Sequence, residues 1–270
     1  PQIEVAVGEQ RVVSEDPAND PATSYHLRTA LVFRHLKPLS ETDTDRLIAF
    51  SVSHDFDLYL QPGGNDTVHK IAPADSVERL QYFVPEFDLQ LNFHPMDFTQ
   101  INAGINRKII SQALSLLELN EEDTVLDLFC GLGNFTLATA RVAKKVVGVE
   151  GSEEMVLRGS ENAALNGLDN VEFFAADLFQ PIAEKEWAKL KYSKIILDPP
   201  RSGAIEIIPE IAKLGARTIV YISCNPATLA RDTAELIKAG YRLRTAGVMD
   251  MFPHTTHVES MAVFDAGKGI

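Results

Sequence analysis

Cysteine is nearly missing from this sequence: two occur in 270 residues. That excludes a disulfide framework and a metal cage built from cysteines alone, and it fits a reducing, cytoplasmic setting. Long apolar runs are missing too. No stretch of about 18 apolar residues occurs, so no membrane-spanning helix is expected, and no basic-then-apolar leader opens the chain. Positive charge is in short supply. Lys and Arg total 25 against 38 Asp and Glu, a net charge of −13. Residues 1–95 are the more acidic part, with 7 basic and 15 acidic side chains. No Lys/Arg-rich block appears, which excludes a broad basic face. Any grip on nucleic acid must be local or come from another segment. The first residue is Pro1 rather than Met, which reads as the start of a piece of something longer. What remains is ordinary globular material, 45% hydrophobic and 23% charged, long enough for one large or two modest domains.

Two regions differ in pattern. Residues 1–95 carry no catalytic grammar. His26–His35 and Asp57–Gln61 are β-prone, Pro62-Gly63-Gly64-Asn65-Asp66 is a turn or loop, and Thr42–Ser53 reads as a helix with Leu47, Ile48 and Phe50 on its apolar side. This predicts a small α+β subdomain ending near His94-Pro95-Met96-Asp97. Residues 96–270 alternate helix and strand. Asn102–Glu118 is an amphipathic helix; Thr124–Phe129, Val146–Glu150, Val171–Ala175, Lys194–Asp198 and Thr218–Ser223 are short buried strands. Asn134–Ala143, Glu153–Asn166 and Pro226–Ala239 are helices, the last with Pro at its first position and Gly240 just beyond it. Tyr241–Val248 and His257–Asp265 are expected as antiparallel strands. The fold class is therefore α/β: a mostly parallel, Rossmann-like sheet with helices on both faces, preceded by the α+β subdomain. Ligands of such sheets bind at the carboxyl ends of the strands.

The chemistry-bearing residues fall at those ends. Asp127-Leu128-Phe129-Cys130-Gly131-Leu132-Gly133-Asn134 follows the first strand and opens a helix. Its Gly-x-Gly lets backbone approach a ligand, but the third glycine of a dinucleotide site is absent. Alone it fits a plain strand-to-helix turn. Glu150 ends the next strand, where a carboxylate can accept both hydroxyls of a ribose, and Asp177 follows the third, near an adenine amino group. Acids at successive strand ends are the pattern of S-adenosyl-L-methionine-dependent methyltransferases, a class I methyltransferase-like fold. Leu197-Asp198-Pro199-Pro200-Arg201 ends the fourth strand, with Arg201 where amino-group methyltransferases place an aromatic that stacks the target.

Cys224 ends the strand after that, just before a helix. A helix N-terminus stabilises a thiolate, so Cys224 reads as a nucleophile rather than a small buried hydrophobe. A methyltransferase needs a thiolate when its target is carbon 5 of a pyrimidine. Addition at carbon 6 makes an enolate and enriches carbon 5, and a base must later remove the carbon-5 proton. Glu259, in the apolar run Val258, Met261, Ala262 and Val263, supplies such a base, its pKa raised by desolvation. His254 and His257 have no third ligand at sensible spacing, so no metal is expected.

These segments, together with Ser223-Cys224-Asn225-Pro226 through Arg231-Asp232 and Asp250 through Glu259, resemble the RNA 5-methyluridine methyltransferases, most of all the branch acting on 23S ribosomal RNA. The resemblance covers most of the chain, strongly from Phe98 onward. It implies Cys224 as nucleophile and Glu259 as proton acceptor. It also implies Gln100, Phe129, Asn134, Glu150, Asp177 and Asp198 at the cofactor, with Asp177 the most variable among relatives. Phe98 and Arg201 are implied at the target base. The implied cofactor is S-adenosyl-L-methionine and the implied partner an RNA. Family members of this type carry an N-terminal RNA-binding barrel and four iron–sulfur cysteines, which this sequence lacks; the missing barrel would explain the acidic balance. Other readings are a transfer RNA T-loop uridine methyltransferase, a non-catalytic RNA-binding module of the same fold, and a small-molecule methyltransferase. The last would not need both thiolate and base.

Overall fold

The computed structural model describes residues 2–12, 24–74 and 78–267. They fall into two compact units. The first comprises the chain up to Phe83 with Gln90–Ile101, and the second Val84–Leu89 with everything from Asn102 onward. The main division thus lies six residues beyond the 95/96 boundary expected from the sequence.

In the first unit, strands β1 (Gln2–Val12), β2 (Ser24–Arg34), β3 (Phe56–Gln61) and β4 (His69–Ala72) form one sheet in that order. Neighbours β1–β2 and β3–β4 run antiparallel. Strands β2 and β3 run parallel, because helix α1 (Glu41–Ser53) makes the crossover. Ser40 caps α1: its hydroxyl oxygen accepts from the Asp43 amide and donates to the Asp43 carboxylate. A second pair, β5 (Leu80–Val84) and β6 (Leu89–Phe93), follows. Phe50, expected on the buried side of α1, is instead 47% exposed. Its ring packs on His54 and Phe56 along the helix end, at 4.1 and 5.4 Å between centroids.

The second unit is built on a seven-stranded sheet. Its strands are β7 (Thr124–Leu128), β8 (Lys145–Glu150), β9 (Val171–Ala175), β10 (Lys194–Leu197), β11 (Thr218–Ser223), β12 (Tyr241–Met249) and β13 (Glu259–Ala266). The spatial order is β12-β13-β11-β10-β7-β8-β9. The five strands from β11 to β9 are parallel; β13 runs antiparallel to both β11 and β12. The helices are α2 (Ala103–Leu117), α3 (Thr136–Ala140), α4 (Glu153–Leu165), α5 (Ile208–Ile211) and α6 (Pro226–Lys238). Asn102, Ser152 and Asn225 cap α2, α4 and α6 through side-chain oxygens. The central strands are mostly apolar because helices cover both faces; Leu126, Leu128, Val147, Val149, Ile195 and Ile219 are fully buried, whereas the edge strand β12 is largely exposed.

The sequence predicts a helix over Asn134–Ala143, but α3 is only five residues long, and all five are buried. Residues Cys130–Asn134 are spent turning from β7, and no side chain caps the helix start. At the other end the Arg141 guanidinium donates to the carbonyls of Phe87 and Asp88.

Candidate active site

All five parallel strands end at one edge of the sheet, so the loops that follow β7, β8, β9, β10 and β11 lie side by side. Four acids, Asp127, Glu150, Asp198 and Glu259, come from the strands or strand ends of this edge.

The antiparallel strand β13 delivers Glu259. The last rung of its ladder with β11 pairs Ser223 with Ser260, and the Ser260 hydroxyl donates to the Ser223 carbonyl at 3.0 Å. Cys224 directly follows that rung on β11, Glu259 directly precedes it on β13, and the Glu259 charge acts on the Cys224 thiol. The β11–β13 ladder thus draws together the strand ends of two residues 35 positions apart. Glu259 is 5% exposed, and burial raises its carboxyl above the ordinary value, in the direction expected.

Cys224 departs from expectation. Its thiol is raised, not lowered. Burial is the main cause; Glu259 and Asp198 push the same way, and Arg201 opposes them. The helix start does not offset this. Pro226 has no N–H, and the Asn225 side chain already accepts from the Ala227 amide. The resting side chain is a thiol. Even so, the two cysteines differ. Cys130 is buried, and desolvation with the nearby charges of Asp127 and Glu150 holds its thiol far from ionisation, whereas Cys224 is half-exposed.

Asp198 follows β10, half-buried and pushed up to about 8 by burial, then by the charges of Glu259 and Asp127. Asp127 is fully buried in β7 and pushed up to about 7, again mainly by burial, with Glu150 adding to it. The Thr136 hydroxyl donates to its Oδ2 at 2.6 Å, while Oδ1 has no hydrogen-bond partner. Sequence reasoning passed over Asp127 and Thr136. The available signal was an acid inside the apolar run Val125-Leu126-Asp127-Leu128.

The loop after β7 turns sharply. The Phe129 and Cys130 amides both donate to the Val149 carbonyl, and Phe129 takes φ 64° while Gly131 and Gly133 take 55° and 100°. A left-handed backbone at a phenylalanine costs about 1–2 kcal/mol, so the turn is held against its own preference. The Phe129 ring meets Phe179 at 6.0 Å. Glu150 closes the loop from the next strand: one oxygen accepts from the Gly131 amide at 3.1 Å, the other from Gly151 and Ser152. Asn134 makes a reciprocal amide pair with Asn106 of α2, at 2.9 and 3.0 Å. Asp177 is exposed and accepts from the Phe179 amide. Arg201 is exposed, with Nη1 3.3 Å from Nδ1 of His257.

The second unit therefore gathers Phe129, Asn134, Glu150, Asp177, Asp198, Arg201, Cys224 and Glu259 along one sheet edge. Phe98, 76% exposed, and half-buried Gln100 belong to the segment that ends the first unit. The loop from Asp127 to Asn134 contains no Lys or Arg, and the strand ends around it are acidic. That donor set repels a pyrophosphate and suits a ligand carrying positive charge beside hydroxyls.

Known proteins match this arrangement. Curated relatives named 23S rRNA (uracil(1939)-C(5))-methyltransferase, from Alcanivorax borkumensis and Hahella chejuensis, are 53% and 54% identical over 99% and 98% of the chain. The chain spans 56% of the length of each. A solved structure of a Pyrococcus abyssi tRNA (uracil-54, C5)-methyltransferase in complex with S-adenosyl-L-homocysteine superposes with a TM-score of 0.69 at 24% identity, covering 89% of this chain and 59% of that one. The crystal structure of the M. jannaschii tRNA m1G37 methyltransferase gives 0.58 at 13% identity, over 88% of this chain and 73% of that one. These two likenesses establish the methyltransferase-like fold. The sequence model of the tRNA (uracil-5-)-methyltransferases spans residues 75–266, every segment of the sheet edge just described, and the chain belongs to that family.

Proposed function

We propose that the chain methylates carbon 5 of a uridine in 23S ribosomal RNA, with S-adenosyl-L-methionine as methyl donor. Residues 96–270 form the catalytic domain and 1–95 a central α+β subdomain; the work is cytoplasmic and the partner is RNA. The observation that carries the reading is the β11–β13 ladder, whose last rung, Ser223–Ser260, adjoins both Cys224 and Glu259. The names of the most similar curated relatives supply the substrate.

Glu150 holds the ribose hydroxyls, while Asp177 and Asp198 receive the adenine and the remainder of the cofactor. Phe129 and Asn134 complete the part of the site that lies in the second unit. The sulfonium bound there offers an electrophilic methyl group. Cys224 gives its proton to solvent and its sulfur adds to carbon 6 of the uracil, shifting the electron pair toward carbon 5. Arg201 holds the base. Carbon 5 would then attack the methyl carbon, the methyl–sulfur bond breaking and S-adenosyl-L-homocysteine leaving; Glu259 removes the proton from carbon 5, the double bond re-forms and the Cys224 sulfur leaves. The raised carboxyl of Glu259 suits that last task, since a base works best with a pKa near the working pH.

The reading is tested by incubating methyl-labelled cofactor with 23S ribosomal RNA and with transfer RNA, then mapping the product. RNA carrying 5-fluorouridine should trap the wild type covalently, because fluorine cannot leave as a proton does; Cys224→Ala should trap nothing. Glu259→Gln should stall as a protein–RNA adduct that already carries the methyl group. An adduct with Cys224→Ala, or wild-type turnover by Glu259→Gln, overturns the respective role. The family's transfer RNA members favour one second reading, a T-loop uridine target, and methylation of transfer RNA alone would establish it.

A further inference from the structure

The loop Pro200–Ala204, between β10 and α5, carries Arg201. Side chains from the segment that follows Cys224 hold three of its backbone groups. The Asn225 amide donates to the Arg201 carbonyl at 3.0 Å. Arg231 Nη2 donates to the Ser202 carbonyl at 2.7 Å. The Ala204 amide donates to Asp232 Oδ2 at 2.7 Å, and the Gly203 amide to the Pro200 carbonyl at 2.9 Å. Asp232 is wholly buried, on the inner side of α6 with Leu229 and Leu236. It is anchored by the Tyr221 hydroxyl at 2.6 Å and by Arg231, whose Nε donates to Oδ1 at 2.8 Å. Gly203, at φ 84°, closes the gap: a Cβ there would lie 2.5 Å from both Arg231 Nη2 and Asp232 Oδ2.

A buried carboxylate and a guanidinium tied to one exposed loop exceed what a surface turn needs. We infer that Asn225, Arg231 and Asp232 are positioning residues that hold Arg201 at the Cys224 thiol. The inference deepens the proposed function and rests on its placement of Arg201 and Cys224 in the reaction centre. Nucleophile and clamp share one stretch of chain, so β11, the start of α6 and the Arg201 loop hold together as one body.

Arg201 matters to the thiol because it is the cation whose charge acts on it. Among the charged groups acting on Cys224, Glu259 from β13 and Asp198 from β10 raise the thiol, and Arg201 lowers it. His257 lies against the Arg201 guanidinium. A loop set loose would let Arg201 drift into water and leave two acids facing the sulfur.

The test reads the thiol directly and needs no methyl transfer. The rate of Cys224 alkylation by iodoacetamide is followed against pH by mass spectrometry of the Cys224 peptide, with buried Cys130 as the internal control. Arg201→Ala and Arg231→Ala should each move the rate profile to higher pH, lowering the rate near neutrality by about threefold for a rise of half a pH unit. In the Arg201→Ala background, Arg231→Ala should add nothing, because it acts only through Arg201. Arg231→Lys should recover part of the effect. Gly203→Ala strikes the same loop from the other side and should shift the profile the same way, even where Arg231→Ala folds poorly. An unmoved profile in Arg231→Ala and Gly203→Ala overturns the inference, as does a shift that persists undiminished without Arg201. Absence of methyl transfer by the wild type would instead strike the proposed function and leave these profiles intact.

Discussion

The two edges of the parallel sheet treat their acids in opposite ways. At the amino edge, Asp123 just ahead of β7 is buried, yet its pKa is lowered. Burial would raise it, but the Ser193 hydroxyl, a backbone bond from Asn120 and the Lys194 ammonium outweigh burial. Lys194 lies 3.2 Å from it and Arg217 3.4 Å. At the carboxyl edge, Asp127 and Asp198 are pushed up to about 7 and about 8, with other acids as their charged neighbours. The first unit follows the amino-edge rule. Asp57 is buried, and Arg28 and Lys70 overcome the desolvation to hold its pKa low. Acids that serve the fold are paired with cations; acids left beside other acids mark the place where the chain gives up stability for chemistry.

The largest effect of breaking that contrast should come from Lys194→Met. Lys194 also donates to the last carbonyls of α2, at Leu117 and Glu118. Its loss strands a buried carboxylate, at a cost of about 3–5 kcal/mol, readable by urea unfolding at neutral pH. The penalty should shrink in acid. Asp123 has a lowered folded pKa, so its contribution is present above its ordinary 3.8 and disappears as pH falls through the folded value.

At the carboxyl edge the losses should be functional. Glu150→Ala should weaken cofactor binding by about 1.5–3 kcal/mol for each charge-assisted hydrogen bond lost, measured by calorimetry; unchanged affinity would remove Glu150 from the site. Asp198→Asn should reverse the sign seen at the amino edge. An acid whose folded pKa is raised from 3.8 to about 8 makes the fold less stable as pH rises through that window. The variant should therefore gain on the wild type between those limits and level off above, while methyl transfer falls. Parallel unfolding curves at acid and alkaline pH would show whether the gain is real. The smallest effect belongs to the surface. Lys145 and Glu172 pair at 2.8 Å with both side chains well exposed, and Lys145→Ala should cost under about 1 kcal/mol and less still in high salt.

Much of this was legible in the sequence because local rules decide it. The strands are short apolar runs ended by acids or glycine, and the caps of α2, α4 and α6 are Asn and Ser just ahead of helical periodicity. What could not be read depends on partners distant in the chain. Cys224 follows one strand and Glu259 begins another, but only the β11–β13 ladder brings those strand ends together. The helix start after Cys224 suggests a lowered thiol; burial, joined by acids from two other strands, reverses that. Phe50 satisfied a helical stripe and still lay exposed, since pattern gives a direction and not a depth. Asp232 was visible as an acid at the spacing of Leu229 and Leu236, but its work on the Arg201 loop follows only from where that loop lies.

The place of β13 has a consequence for how the molecule is made. Strand β12 leaves the ribosome before β13, yet among the described residues β13 is its one neighbour in the sheet. Until Glu259–Ala266 has been synthesised, β12 has nothing to pair with and β11 presents a bare edge, open to wrong partners. Glu259 is the first residue of that late strand. A nascent chain can thus assemble the loop after β7 and Cys224 well before Glu259 exists; in the mechanism proposed above, the residue that finishes the reaction comes from the strand that finishes the sheet.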